Sequence, residues 1–424
     1  MNFFFFVPII NNFNIANNKF KSINKMKKFF YLVIAMIPFF TSCSDDIEEN
    51  EVSVEAQSNK LSEHQINKDD ALGIVKKYFK GTRSIGSLSY NCVLTTDRTR
   101  SEAINNDTIA HIFNMGDNDG FMVISSDNRI APILAFSDKG HFSYEENEND
   151  MVYVNFIQRL EARMSQIKDT DAPVAESEDV LAGCVSVSPK LSTQISQGAP
   201  WNRLVAIEHP GCPTGCVPTA LVQVMIACKD SLNYHGETYN LNVIEKALSD
   251  KLHEDELNPN NDYEIAQDIN MRYGIHVYDV ANMVYHIGKD LKTVYTPDVS
   301  NTSVFAARKY LVKYGYNVLN STYIEYNIQD IASSVDNGNI AILVGHDRDE
   351  TAHMWLVDGV KFCWNNPNDH SLGVNPDLTY LHCNWGWGGF DDGYYNGSVF
   401  RTTDHKFSEI TYISVKKEYV LGRH

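Results

Sequence analysis

Residues Gly211 to Cys228 read GCPTGCVPTALVQVMIAC, and the rest of the chain is organised around them. A glycine-bearing turn leads into a cysteine. After it, apolar side chains recur at three-and-four spacing: Val217, Leu221, Val224, Met225 and Cys228. The pattern predicts an amphipathic helix with Cys216 at or just before its first turn and Gly215 supplying permissive backbone. There the unpaired N–H groups and the positive end of the helix dipole favour a thiolate, the nucleophilic form of cysteine. Many buried cysteines are inert, so chemistry requires a base and an oxyanion donor from elsewhere in the chain.

At 424 residues, 43% of them hydrophobic, the chain has room for two or three domains and a core. A net charge of -18 argues against nucleic acid as a partner, which needs a basic face. Met26-Lys27-Lys28, the apolar run Phe29 to Phe40 and Thr41-Ser42-Cys43 describe a signal peptide, too short to span a membrane comfortably. Cysteine directly after the small residues resembles a bacterial lipobox, with Phe40 where Leu is usual. Cys43 is therefore expected to carry lipid and to anchor an outer-membrane or cell-surface protein. An ordinary secretory signal is the alternative. The Phe- and Asn-rich stretch before Met26 fits neither signal nor fold, which places the expected start at Met26. Eight cysteines are too sparse for a disulfide scaffold, and setting Cys43 aside leaves an odd number, so at least one is free or paired with another chain.

The remainder divides by pattern. Residues 44–66 read as a flexible tether. From 67 to 170, helical periods at Lys68–Lys80 and Val152–Ile167 bracket short β-like runs at Tyr90–Thr95, Ile109–Asn114, Gly120–Ser125 and Ile133–Phe136, a small α+β unit with an antiparallel sheet. Residues 171–182 form an acidic linker open to proteolysis. From 183 to 424, helices near Asn242–Asp250, Val280–Ile287, Thr302–Tyr314 and Ile328–Asp336 give way to strands at Ile340–Val344, His353–Val360, Thr379–Asn384 and Glu409–Val415. A helical half followed by an antiparallel half predicts a two-part α+β domain with a cleft between the halves.

Three further stretches carry chemistry. His353 opens the strand-like run HMWLVDGV, 353 − 216 = 137 residues after the cysteine, within the roughly 130–150 seen between papain-type cysteine and histidine. Such a histidine acts as general base and holds the thiolate as an ion pair. The alternative is a histidine pinned at a strand end for structure. In HCNWGWGG, Asn384 can accept from an imidazole N–H and Trp385 can shield that bond from water. The alternative here is an aromatic hairpin that only packs. In SQGAPWN, Gln197 can donate to an oxyanion together with the Cys216 N–H, although a lone Gln is more often a surface residue.

SQGAPWN, PTGCVPTALVQVM, AHMWLVDGV and HCNWGWGGFDDGYY, in that order, resemble the successive blocks of the streptopain family of bacterial papain-like cysteine peptidases. Residues 280–315 are similar to the family between cysteine and histidine, and IFNMGDNDGFMVISSDNRIAPILAFSDKGHF (112–142) is similar to its propeptide. The resemblance implies a papain-like fold with Cys216 as nucleophile and His353 as base. It further implies Gln197 as oxyanion donor, Asn384 shielded by Trp385 as orienter, and a pro-domain that inhibits until cut away. It implies protein or peptide substrates and no cofactor or metal. Pro218 and Ala352 depart from the family, which tends to have Ala and Gly there, and Pro218 biases Val217 away from helical dihedrals. Three other readings stand beside this one: a metal site built on His209, Cys212, Cys216, His382 and Cys383; a reversible Cys212–Cys216 disulfide; and an inactive surface lipoprotein that keeps the fold as a binding or inhibitor module.

Overall fold

The runs IAILV at 340–344 and MWLV at 354–357 form adjacent strands in the computed structural model, and both faces of each are buried. Residues 63–79, 87–94, 108–143, 150, 152–168, 183–256, 275–346, 352–364, 375–401 and 410–417 are described. The leader, Cys43, residues 44–62 and the 171–182 linker lie outside them.

In chain order, α1 (Lys68–Phe79) precedes β1 (Leu88–Leu94), β2 (Thr108–Met115), β3 (Phe121–Ser125) and β4 (Ile133–Ser137). A π-helical turn (Tyr153–Ile157) runs into α2 (Gln158–Lys168). β5 (Gly183–Val187) and α3 (Arg203–Glu208) lead to α4 (Cys216–Cys228). Next come the hairpin β6 (Ser231–Tyr234) and β7 (Glu237–Asn240), α5 (Leu241–Glu256) and α6 (Ile275–Asp290). The short pair β8 (Val294–Tyr295) and β9 (Ser300–Asn301), α7 (Val304–Lys313), β10 (Ile324–Glu325) and α8 (Ile328–Asp336) follow. The chain closes with β11 (Ile340–His346), β12 (Ala352–Trp364), β13 (Thr379–Asn384), β14 (Gly393–Asn396) and β15 (Thr411–Val415). Every helix and strand expected from pattern is present within a few residues. β5, α3, the β6–β7 hairpin, the β8–β9 pair, β10 and β14 were not expected. β6 and β7 are only four residues each, and the β5 sequence GCVSV carries no clear alternation.

Among the described residues eleven strands join into one antiparallel sheet, ordered β1-β2-β3-β4-β14-β13-β12-β11-β15-β10, with β5 on the far half of β12. The join between the first unit and the rest is β4 to β14, where Phe136 and Ala135 face Tyr394 and Tyr395. Phe136 stacks on Tyr394 at 5.4 Å and meets Tyr380 edge-on at 5.2 Å. Such pairs add about 0.5–1.5 kcal/mol each beyond their area.

Strand alternation explains the continuous apolar runs. Ile340, Ile342, Val344, Met354 and Leu356 pack with α4, α5, α6 and α7. Ala341, Leu343, Trp355 and Val357 pack on the opposite face with Phe156 and Leu160 of the first unit and Ile331 and Val335 of α8. A strand covered on both sides cannot use polar residues on either, so the two-residue period disappears from the sequence.

Helix α4 differs from its expected character. Every residue from Val217 to Cys228 is buried, so the helix is enclosed on all sides. The apolar positions read from sequence are correct, but the remaining face is covered too, by Pro218, Ala220, Val222, Ile226 and Ala227. Complete burial of Leu221, Val222, Val224 and Met225 contributes about 1.5–3 kcal/mol each as an upper estimate. Pro218 interrupts nothing. It is the third residue of the helix, where the missing N–H is one of the four without an intrahelical partner.

Candidate active site

Cys216 begins α4 behind Gly215, whose φ of 90° and ψ of 151° lie in a region only glycine populates readily. A Cβ on Gly215 would stand 2.8 Å from the Ser300 carbonyl oxygen, so space as well as backbone demands glycine. Four separate segments pin this loop. Thr214 N donates to Gln197 O at 2.9 Å, and Asn202 Nδ2 donates to Cys212 O at 3.0 Å. Ser300 Oγ donates to Pro213 O at 2.7 Å, and Thr219 Oγ1 reaches back to Gly215 O at 2.9 Å. The loop's carbonyls are thus satisfied by side chains of Asn202, of α4 and of the β8–β9 pair. Ser300 and Thr219 had no recognisable signature in the sequence.

Gln197 is buried two residues beyond the Ile195 core position, its carbonyl holding Thr214. Its neighbour Ser196 bridges to Trp387. The segment carrying Gln197 therefore lies against both the cysteine loop and the Trp-Gly turn.

His353 is the second residue of β12, faces Gly345 of β11 and is buried. Asn384 closes β13 and pairs with Leu356, three residues along β12. The sulfur of Cys216 lies against the backbone N–H of Met354, the residue after His353. Cys216 also packs against both core clusters, at the seam between helical and sheet halves. The nucleophile candidate and the histidine strand are thus brought together from 137 residues apart.

The thiol itself reverses one expectation. Burial pushes the Cys216 thiol up from its ordinary value, and the N–H groups of Met354, Val217 and Cys216 only partly oppose it. Counting helix-terminal donors predicts a thiolate, but desolvation of the charged form is the larger effect in this enclosed arrangement. Asn384 also has partners that were not expected. Its Oδ1 accepts from Gln223 Nε2 at 3.0 Å and Gly386 N at 3.2 Å, which fills both lone pairs of a carbonyl oxygen. Sequence reading had assigned that oxygen to the imidazole. Trp385 is buried, stacks on Trp355 at 5.4 Å, and its N donates to Asp392 Oδ1 at 2.9 Å. Burial pushes the Asp392 carboxyl up to about 7.

Other cysteine and histidine readings turn on position. Cys212 and Cys216 are both free thiols in this structure, the reduced form of the reversible pair. Cys184 of β5 is bonded to Cys363 of β12, its register partner. The proposed metal ligands are dispersed. His209 stacks on Tyr295, His382 Nδ1 pairs with Asp358 Oδ1 at 2.7 Å, and Cys383 is buried in the core among Trp355 and Trp385. Asp358 Oδ2 also accepts from Leu191 N at 2.8 Å, tying the start of the second unit to β12.

The first unit reaches the back of this site. Gly345, opposite His353, has no room for a Cβ: one would meet Asn155 Oδ1 at 2.2 Å and Trp355 at 3.2 Å. Asn155 belongs to the π-helical turn and is fully buried. Ser143 N donates to Asp391 Oδ1 at 2.6 Å, a second link between the units.

A half-buried cysteine at a helix start, beside a histidine strand and an Asn-Trp turn, in a fold with a helical and an antiparallel half, is a papain-like fold preceded by a small α+β unit. Residues 195–395 match the profile of the peptidase C10 family, and residues 63–163 match that of the Spi protease inhibitor. Residues 195–395 therefore form a segment of the peptidase C10 type, with an inhibitor-type segment at 63–163 ahead of it. It is similar to the thiol protease/hemagglutinin PrtT of Porphyromonas gingivalis, 22% identical over 75% of this chain. The match spans only 37% of PrtT's own length. It is also similar to streptopain of Streptococcus pyogenes, 23% identical over 65% of this chain and 71% of that protein. A solved fragment of prointerpain A from Prevotella intermedia is 17% identical, covering 77% of this chain and 98% of the fragment, with a TM-score of 0.47.

Proposed function

We propose that the chain is an exported cysteine endopeptidase made as a zymogen. The observation that carries this reading is that Cys216 opens the helix that packs on β12, the strand that carries His353. In the reaction, His353 takes the Cys216 proton and the sulfur attacks the substrate carbonyl carbon. The Cys216 N–H and the Gln197 side chain receive the oxyanion. Collapse breaks the C–N bond, and the leaving amine takes its proton from His353. Water then hydrolyses the thioester, releasing the acid and restoring the thiol. Asn384, beneath Trp385, holds the histidine side of the cleft in place.

Latency follows from the first unit. Residues 67–170 act as the inhibitor. They add four strands to the peptidase sheet and press Asn155 against the strand beside His353. Cutting within 171–182 releases them. Export is supported by the leader-type sequence and by the Cys184–Cys363 bond, since disulfides persist in oxidising compartments. A lipid on Cys43 would hold the precursor at a membrane surface. Protein or peptide chains are the substrates.

The test is incubation of purified precursor, wild type and Cys216→Ala, with casein, followed by N-terminal sequencing of any self-processed product. Wild type is expected to cut itself within 171–182 and to degrade casein, and the alanine variant to do neither. Equal proteolysis by both would end the peptidase reading and favour the binding-module alternative.

A further inference from the structure

Gln223 is the polar side chain that this mechanism leaves unused. It follows Cys216 by seven residues on α4, which returns it to nearly the same helical face about two turns along. It is almost completely buried in a helix whose neighbouring positions are apolar. Its Nε2 donates to Asn384 Oδ1 at 3.0 Å across 161 residues of sequence, joining the helical half to the last residue of β13. Its Oε1 is buried with no hydrogen-bond partner among the described residues.

A residue that only fills space here would be Leu or Met, which bury without an orphaned acceptor. The glutamine carries that cost for the sake of its other end. Gly386 N also reaches Asn384 Oδ1, but Gly386 belongs to the same turn and moves with it. Among the described residues, Gln223 is the side chain that hydrogen-bonds Asn384 to the element that carries the nucleophile.

We propose that Gln223 is a positioning residue: from the Cys216 helix it fixes Asn384, and through Asn384 the approach of the His353 strand to the sulfur. This rests on the peptidase reading above. The bond is buried and joins the Cys216 helix to β13, whose last residue pairs with β12 three residues along from His353, so it fixes how the two halves meet behind the thiol and the imidazole. Without it, each half remains folded on its own core, and the Asn384 amide is held by Gly386 N from its own turn but no longer by the Cys216 helix. Misplacement of reacting groups by about 1 Å costs on the order of a hundredfold in rate, so the effect belongs in kcat rather than KM.

The experiment uses the full precursor, allowed to process, with Gln223→Met and Gln223→Glu alone and the methionine change also on Asn384→Ala. The readouts are kcat and KM on a peptide substrate and the pH profile of Cys216 alkylation by iodoacetamide. Gln223→Met is expected to lower kcat by about 10- to 100-fold with KM within about twofold, and to shift the alkylation profile. On the Asn384→Ala background it should add no further loss in turnover or alkylation rate. Gln223→Glu should be impaired at high pH and recover as pH falls, because a protonated carboxyl can again donate to Asn384 Oδ1. Wild-type kcat in Gln223→Met, a loss that adds in full to that of Asn384→Ala, or no acid recovery in Gln223→Glu would each overturn the proposal. Failure of both single variants to fold would assign Gln223 to the core and overturn it equally. A wild-type chain without turnover removes the peptidase reading and this one together, whereas an active wild type with a silent Gln223→Met removes only this one.

Discussion

Removing the Cys184–Cys363 bond tests whether the tertiary arrangement at the end of β12 is covalently secured. The bond closes a sequence separation of 179 residues. In the chain-entropy treatment a loop of that size restrains the unfolded chain by about 5 kcal/mol, and measured values usually fall at about 2–4 kcal/mol. Cys184 is the position to change. It is exposed, whereas Cys363 is buried among Phe136 and Tyr380, so Cys184→Ser removes the bond and leaves that packing intact. β5 also keeps its five backbone pairings to β12, so the native geometry persists and the loss acts mainly through the unfolded state. At about 2–4 °C per kcal/mol, the unfolding midpoint should fall by about 5–15 °C. The assay is scanning calorimetry of wild type and Cys184→Ser, each with and without reductant. Reductant should bring the wild type down to the variant and leave the variant unmoved. Equal midpoints for both proteins in the absence of reductant would refute the reasoning.

Two further outcomes follow from the site. Gly215→Ala forces a Cβ to within 2.8 Å of the Ser300 carbonyl oxygen in a glycine-only backbone region, and should cost about 1–3 kcal/mol in urea unfolding together with most of the activity. An unchanged urea midpoint would show that the loop relaxes freely. Asp391 gives a pH signature. Burial pushes its carboxyl up to about 8, with Ser143 N opposing and Asp150 and Asp392 adding to the rise. A carboxyl raised in the folded state stabilises fully below its unfolded value near 4, and that stability is lost as pH rises through about 8. Asp391→Asn keeps the acceptor for Ser143 N and removes the charge, so its precursor should gain stability over wild type increasingly from pH 5 to pH 8. A pH-independent difference in midpoint would refute this.

The signals that were legible in sequence are those set by local period and local chemistry. Ile328–Asp336 was readable to the residue because Asn327 caps it, its side chain accepting from Gln329 N and Asp330 N. The runs at 340–344 and 353–360 were readable as strands, but nothing in them says which residues face the helices and which the first unit, because both faces are apolar. Gln223 carried no signal of its own in the sequence, and the placement of β13 gives its buried side chain a partner.

The sequence by itself determined that a cysteine would open a helix behind a glycine, that a helical segment would precede an antiparallel one, and in what order the chemical blocks would occur. These depend on neighbours a few positions away. Tertiary structure alone decided that Cys184 meets Cys363, that β4 joins β14, and that Asn384 answers to Gln223. It also decided that burial outweighs the helix-terminal donors at Cys216. Each of these depends on side chains more than a hundred residues apart being desolvated together, and no local pattern records how much water a distant strand will exclude.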